Sequence, residues 1–334
     1  MLIKTAPASS YFDPLRYDRE RREVFARSWQ FVGHESDLRE TGDVITASIA
    51  GYSVLVLRDG ETLRAFHNVC RHRAGPLVVG DKEHCEGILV CKYHGWSYTF
   101  DGRLRSARDF GPAEGFDPRH YGLKSLQVQT WRGFIFINMD QEAPSLAEFV
   151  APLEARMESR DIGQLVHGGR KIHDIACNWK VYAENYLEGY HIPLVHRGLS
   201  AEIDAAKYAV TVEGDVVFHH APPRGGDGVY DGLWAFLWPN LGVNVYGHGF
   251  MMERMQPLGL GATRLIYDFY LRPEIVTDPA ARERIVGMSA TVTAEDKRIC
   301  ERVQENLAAG IYDQGVLSPK HELGVAWFQS KQPS

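Results

Sequence analysis

"CRHRAGPL" (Cys70–Leu77) and "CKYHGWSYTFDGRL" (Cys91–Leu104) each set one cysteine and one histidine in a short loop after a predicted strand. The pairs are Cys70-x-His72 and Cys91-x-x-His94, with eighteen residues between His72 and Cys91. Each loop offers one thiolate and one imidazole. A zinc finger usually pairs Cys with Cys and His with His, around a hairpin and a helix. Here every pair is mixed, and both lie among strands.

Two such loops can present both thiolates to one iron and both imidazoles to a second. That is the ligation of a Rieske [2Fe–2S] centre, in which neutral imidazoles replace two thiolates and raise the potential. Cys70, His72, Cys91 and His94 are therefore the candidate cluster ligands; a zinc site is the alternative. Glycines and a proline in these loops let backbone amides approach the sulfurs, and the loops resemble those of Rieske proteins.

Around the loops the sequence reads as a small antiparallel β domain over residues 41–140. "VITASIAGYSVLVLRDGETLRAF" alternates with period two and turns at Asp59-Gly60, a hairpin signal. A second turn is expected at Asp101-Gly102, and "WRGFIFINMD" reads as a buried strand. Residues 1–40 read mostly helical, with Val24, Phe25, Trp29 and Val32 on one face, packing on a later domain. Residues 141–334 read as an α+β domain of helices over an antiparallel sheet. A cluster alone only carries an electron, and this second domain is its expected destination.

Within it, "AENYLEGYHIPLVH" (Ala183–His196) gathers costly polar groups among tyrosines and aliphatics. Glu188 and His191 share a helix face. His196 lies past Pro193, beyond an expected helix end, where a loop can bring it back beside His191. Two histidines and a carboxylate on one face of an iron leave positions open for O2 and substrate. Two histidines five apart make a weak case for metal alone; the electron source upstream makes it a strong one.

The segment "NWKVYAENYLEGYHIPLVH", with the two loops, resembles the α subunit of Rieske non-haem iron oxygenases, from Trp29 to the C-terminus. The family pattern Asn-x-x-Asp/Glu-x-x-His-x-x-x-x-His falls on Asn185, Glu188, His191 and His196. The resemblance implies that His191 and His196 hold a mononuclear Fe(II) and that Asn185 lies near it. It gives Glu188 the role of an electron bridge to a Rieske histidine of a neighbouring subunit in a homotrimer. Many members carry Asp there; this chain carries Glu, one methylene longer, as in the carnitine-oxygenase branch.

The family takes its third iron ligand from a late helix, and "TAEDKRICERVQENL" offers Glu295 and Asp296. At about 100° per residue, Asp296 falls at the centre of a stripe formed by Ile299, Cys300, Val303 and Leu307, and Glu295 lies a quarter-turn away. A carboxylate centred on an apolar stripe needs a partner, and iron would be one. Asp296 is the expected ligand; a helix cap at Thr293-x-x-Asp296 is the alternative.

The implied activity is that of a terminal oxygenase acting on a small organic substrate with O2. The chain shows no G-x-G-x-x-G fingerprint and no plant-type ferredoxin cysteine spacing. A separate NAD(P)H-dependent reductase, alone or with a ferredoxin, is therefore expected. "NYLEGYHIP", "WPNLGVNVY" and "SPKHELGV" resemble the choline, glycine-betaine and carnitine oxygenases, which implies a quaternary ammonium substrate, hydroxylated or N-demethylated. Trp234, Phe236, Trp238, Tyr246, Phe250 and Met251 are candidate pocket residues. Hydroxylation of an aromatic ring or aromatic acid is the second reading; an electron-transfer or regulatory Rieske protein is the third, from a different class. A net charge of −6 over 334 residues argues against a nucleic-acid surface. No apolar run approaches the roughly 20 residues that span a bilayer, and a cytoplasmic protein is expected. Five cysteines, an odd number in a long chain, argue against a disulfide scaffold.

Overall fold

The computed structural model describes residues 2–225 and 229–333. The chain forms two compact units, Phe25–Glu148 and, around it in sequence, the stretch through Val24 together with Phe149 onward. The fold is α+β, as expected.

The inserted unit is built on a seven-stranded antiparallel sheet in the order Gln30–His34, Phe134–Asn138, Ser125–Trp131, Thr62–His67, Tyr52–Asp59, Asp43–Ile49, Lys82–His84. A small sheet of Leu89–Val90, Ser97–Tyr98 and Leu104–Ser106 carries the second Cys/His loop. The Asp59-Gly60 turn is present, but a further turn at Ala50-Gly51 splits what reads as one long strand. The period-two pattern continues through that turn, so alternation alone does not locate it.

The first forty residues are not one helical segment. Pro14–Glu20 is helical, followed by a π-helical turn at Arg21–Phe25, whereas Gln30–His34 is a strand of the inserted sheet. Val24, Phe25, Trp29 and Val32 are all buried, but on different element types. A short run of large apolar residues fits either period.

The other unit holds a second seven-stranded antiparallel sheet. Its order is Val166–Ile175, Ala262–Leu271, Gly249–Gly259, Leu241–Tyr246, Tyr230–Leu237, Val216–His220, Ala209–Glu213. The helices Trp179–Tyr186 and Pro279–Ala308 belong to the same unit. One sheet face carries Trp234, Asn244, Met251 in one row and Phe236, Gly242, Glu253, Tyr267 in the next. Gly242 is required there: a Cβ would lie 3.0 Å from the Tyr186 ring. No helix among the described residues is long and apolar enough to cross a membrane.

The helix at Trp179–Tyr186 is fixed at its start. Asn178 caps it, its side chain accepting from the Lys180 amide at 2.9 Å. Lys180, 2% exposed, forms an ion pair with fully buried Glu20, which also accepts from Trp179 Nε1 at 2.9 Å. Removing one partner of a buried pair costs about 3–5 kcal/mol because the other charge is left unpaired. Lys180→Met is therefore expected to lower the melting temperature clearly. Adding Glu20→Gln should recover part of the loss, read by calorimetry; equal melting of both variants would show that the pair does not hold the helix.

Candidate functional site

In the inserted unit, the two loops bring their Cys/His pairs together. Cys70 and Cys91 are each 2% exposed, and the His72 and His94 ring centroids are 4.6 Å apart. His72 stacks on Trp96, with ring planes 10° apart, and its Nδ1 is buried without a hydrogen-bond partner. Cys70 Sγ receives the Tyr98 hydroxyl at 3.2 Å, the kind of contact that tunes cluster potential. At Gly75 a Cβ would come within 3.0 Å of Cys91 Sγ, so the cradle around the sulfur is closed to any side chain there. Burial pushes the Cys70 thiol up. A buried thiolate needs a cation, and two sulfurs with an orphaned imidazole nitrogen fit an iron–sulfur cluster.

The second site starts at the end of the Trp179–Tyr186 helix. Glu188 sits in the turn that follows, and its carboxylate accepts from the Tyr190 amide and from His191 Nδ1. Pro193 does not end the path as expected. It occupies the first turn of the short helix Ile192–Val195, where its missing N–H costs nothing. His196 closes that helix, 1% exposed, and its Nδ1 donates to Glu295 Oε2 at 2.7 Å.

Carboxylates only accept, so each Nδ1 carries a proton, and in the neutral rings that bind a metal each Nε2 keeps its lone pair. The two Nε2 atoms face each other at 3.1 Å. Asp296 Oδ1 lies 2.9 Å from His196 Nε2 and 3.6 Å from His191 Nε2. Three acceptors in one small triangle repel one another unless a cation lies between them. Ligands about 2.1 Å from a metal and at right angles are about 3 Å apart, close to the 2.9 and 3.1 Å edges, with the 3.6 Å edge wider. Asn185 Nδ2 donates to Asp296 Oδ1 at 2.8 Å and steadies that corner. The donor set fits a mononuclear iron.

The late helix starts well before the expected Thr293. It runs Pro279–Ala308, capped by Asp278, so Asp296 is mid-helix and the capping alternative falls away. Asp296, Cys300 and Leu307 are buried, but Ile299 and Val303 are 42% and 40% exposed. They line an open groove of about 790 Å³ that also borders Asn185 and Glu188. Glu295 was weighed above only as a rival ligand; its contact with His196 Nδ1 depends on the fold bringing distant segments together.

A smaller cavity of about 80 Å³, also lined by Asn185 and Glu188, lies against the metal triangle. Tyr186, Tyr208, Tyr230, Trp234, Tyr246 and Tyr267 line it. Of the expected pocket residues, Trp234, Tyr246 and Met251 take part. Phe236, Trp238 and Phe250 instead pack into the core against Tyr186, Phe328 and Tyr270 respectively. Alternation separates Met251 from Phe250, whereas Trp234 and Phe236 share a face and differ in their place along the strand, with Phe236 in the row covered by Tyr186. Two further lining groups were missed. His219 is buried, donated to at Nδ1 by the Tyr208 hydroxyl at 2.8 Å, and burial pulls it down to about 3. Glu253 is 3% exposed, and burial pushes it up to about 7.

Comparison with known proteins identifies the two domains. The Rieske [2Fe-2S] domain family matches residues 28–127, and the ring hydroxylating alpha subunit (catalytic domain) family matches residues 162–229 and 219–332. The carnitine monooxygenase oxygenase subunit of Escherichia coli (strain K12) is 32% identical over 348 residues, covering 98% of this chain and 92% of that one. The chloroplastic choline monooxygenase of Arabidopsis thaliana is 32% identical over 331 residues, covering 93% and 78%. A solved quaternary ammonium Rieske monooxygenase, described for carnitine oxidation and inter-subunit electron transfer, superposes with TM-score 0.87 at 27% identity, covering 98% and 94%. With a cluster cradle in one unit and an iron-fitting triangle in the other, the chain belongs to the Rieske oxygenase α subunits, enzymes that pair a [2Fe–2S] cluster with a mononuclear iron.

Proposed function

We propose that this chain is the terminal component of a monooxygenase that hydroxylates or N-demethylates a small quaternary ammonium compound. The observation that carries the reading is the cavity beside the metal triangle. Its wall is aromatic, and among the described residues no Lys or Arg lines it. Ring faces attract a quaternary ammonium group, whereas an aromatic acid would call for a cationic partner. At about 80 Å³ the space is far below the roughly 300–1,000 Å³ of drug-sized sites, which favours a small substrate over a fused ring. The similarity to carnitine and choline monooxygenases supports the same class.

His191, His196 and Asp296 would hold the iron, and Cys70, His72, Cys91 and His94 the cluster. Together these groups supply the electrons and the site for reducing O2; the net reaction joins one oxygen atom to a substrate C–H and releases the other as water, consuming two electrons and two protons. Glu188 and Glu295 fix the tautomer and aim of the two imidazoles. The aromatic wall orients the cation and keeps bulk water out. Glu188 also borders the outer groove, which supports its role as the bridge through which a neighbouring subunit's cluster is joined to this site. A homotrimer and an NAD(P)H-dependent reductase complete the proposal.

Product mass after incubation with reductase and NADH should show an added oxygen or a lost methyl on choline, glycine betaine or carnitine. Oxidation of aromatic acids alone would favour the second reading. Asp296→Ala should lower iron from about three atoms per chain to the two of the cluster and abolish turnover; retained third iron would move the ligand elsewhere. Glu295→Gln should weaken mononuclear iron about 10–100-fold by chelator competition, with the cluster spectrum unchanged. Glu188→Gln should keep both metals yet slow single-turnover electron transfer; an unchanged rate would remove the bridge.

A further inference from the structure

Glu253 is a carboxylate with one oxygen left over. It lies on the strand Gly249–Gly259, third in the seven-stranded order, on the sheet face that carries Asn244, Met251 and Tyr267, and it lines the cavity beside the metal triangle. Oε2 accepts from Asn244 Nδ2 at 3.0 Å. Oε1 is buried and has no hydrogen-bond partner among the described residues.

The neighbouring Tyr182 and Tyr267 hydroxyls, which lie near the carboxylate, hydrogen-bond along a chain of their own. Thr293 donates its proton to the Ser289 carbonyl at 2.8 Å, so it can only accept from Tyr267 at 2.9 Å. Tyr267 then accepts from Tyr182 at 3.0 Å. Both tyrosine protons are used within this chain of hydroxyls, each hydroxyl having only one to give. A buried carboxylate oxygen without a donor is costly, which is why burial pushes Glu253 up to about 7, and a cation beside it would hold it in the charged form. The adjacent position, Gly242, has no side chain, and the Tyr186 ring lies over it. Glu253 thus lines the cavity among aromatic rings, with Tyr186, Tyr230, Trp234 and Tyr246 in the same wall.

We propose that Glu253 is a specificity-determining residue whose carboxylate is the counter-ion for the substrate's cationic head, with the aromatic rings around it. This deepens the reading above and rests on it. A quaternary ammonium has no N–H to donate, so recognition combines charge with ring faces, and Glu253 separates a cation from a neutral molecule of the same shape. Glu253 is not one of the triangle's acceptors.

The test compares wild type, Glu253→Gln and Glu253→Asp as iron-loaded holoenzymes, with choline, glycine betaine and carnitine as probes. The neutral control is 3,3-dimethylbutan-1-ol, in which carbon replaces the nitrogen of choline. Glu253→Gln is expected to raise KM for the cationic substrates at least 10-fold with kcat within about threefold. Binding of the neutral alcohol, read by calorimetry, should be unchanged or tighter. Glu253→Asp should recover part of the affinity. Equal weakening toward the cation and the neutral alcohol, or loss of mononuclear iron without a change in KM, would overturn the proposal. A wild type that oxidises none of the quaternary amines would sink the substrate reading itself. One that oxidises them while Glu253→Gln behaves alike would sink only the counter-ion.

Discussion

The second unit depends on one electrostatic constraint: three acceptors must face one point. His191 and His196 present lone pairs to each other because Glu188 and Glu295 hold the opposite edges of their rings. Those carboxylates lie on different segments, one in the turn beside His191 and one on the long helix that also carries Asp296. The helix, the turn and the sheet behind them must therefore be placed together or the triangle does not close. Asn178, Lys180 and Glu20 secure the helix start upstream, so much of the buried polar chemistry in this unit serves placement.

The cluster unit meets a similar demand by other means. There the backbone does most of the shaping. Gly75 admits the Cys91 sulfur where a side chain would collide, and Trp96 stacks beneath the His72 ring. The soft ligands sit on short loops of a rigid antiparallel sheet, which holds the Cys/His pairs in register.

Much of this was legible in the sequence because the informative signals are local. Two mixed Cys/His pairs need only their spacing and strand context, and Asn185, Glu188, His191 and His196 fall within twelve residues. Asp296 was accessible through helical phase, although the same phase wrongly buried Ile299 and Val303, which border an open groove. The residues that escaped are those whose meaning depends on distant partners. Glu295 acquires its role only when His196 reaches it, and Glu253 looks like an ordinary strand carboxylate until its row is matched across the sheet. Gln30–His34 escaped for the opposite reason: five residues are too few to distinguish a strand from a helix by period.

Asn185 and Glu188 border both the aromatic cavity and the outer groove. The wall between the two spaces is thus a pair of side chains, each hydrogen-bonded to a corner of the metal triangle. The two spaces therefore reach the triangle from separate directions, one walled by rings and one open along the late helix. A change in either space therefore meets the same two side chains, and through them the same two corners of the triangle.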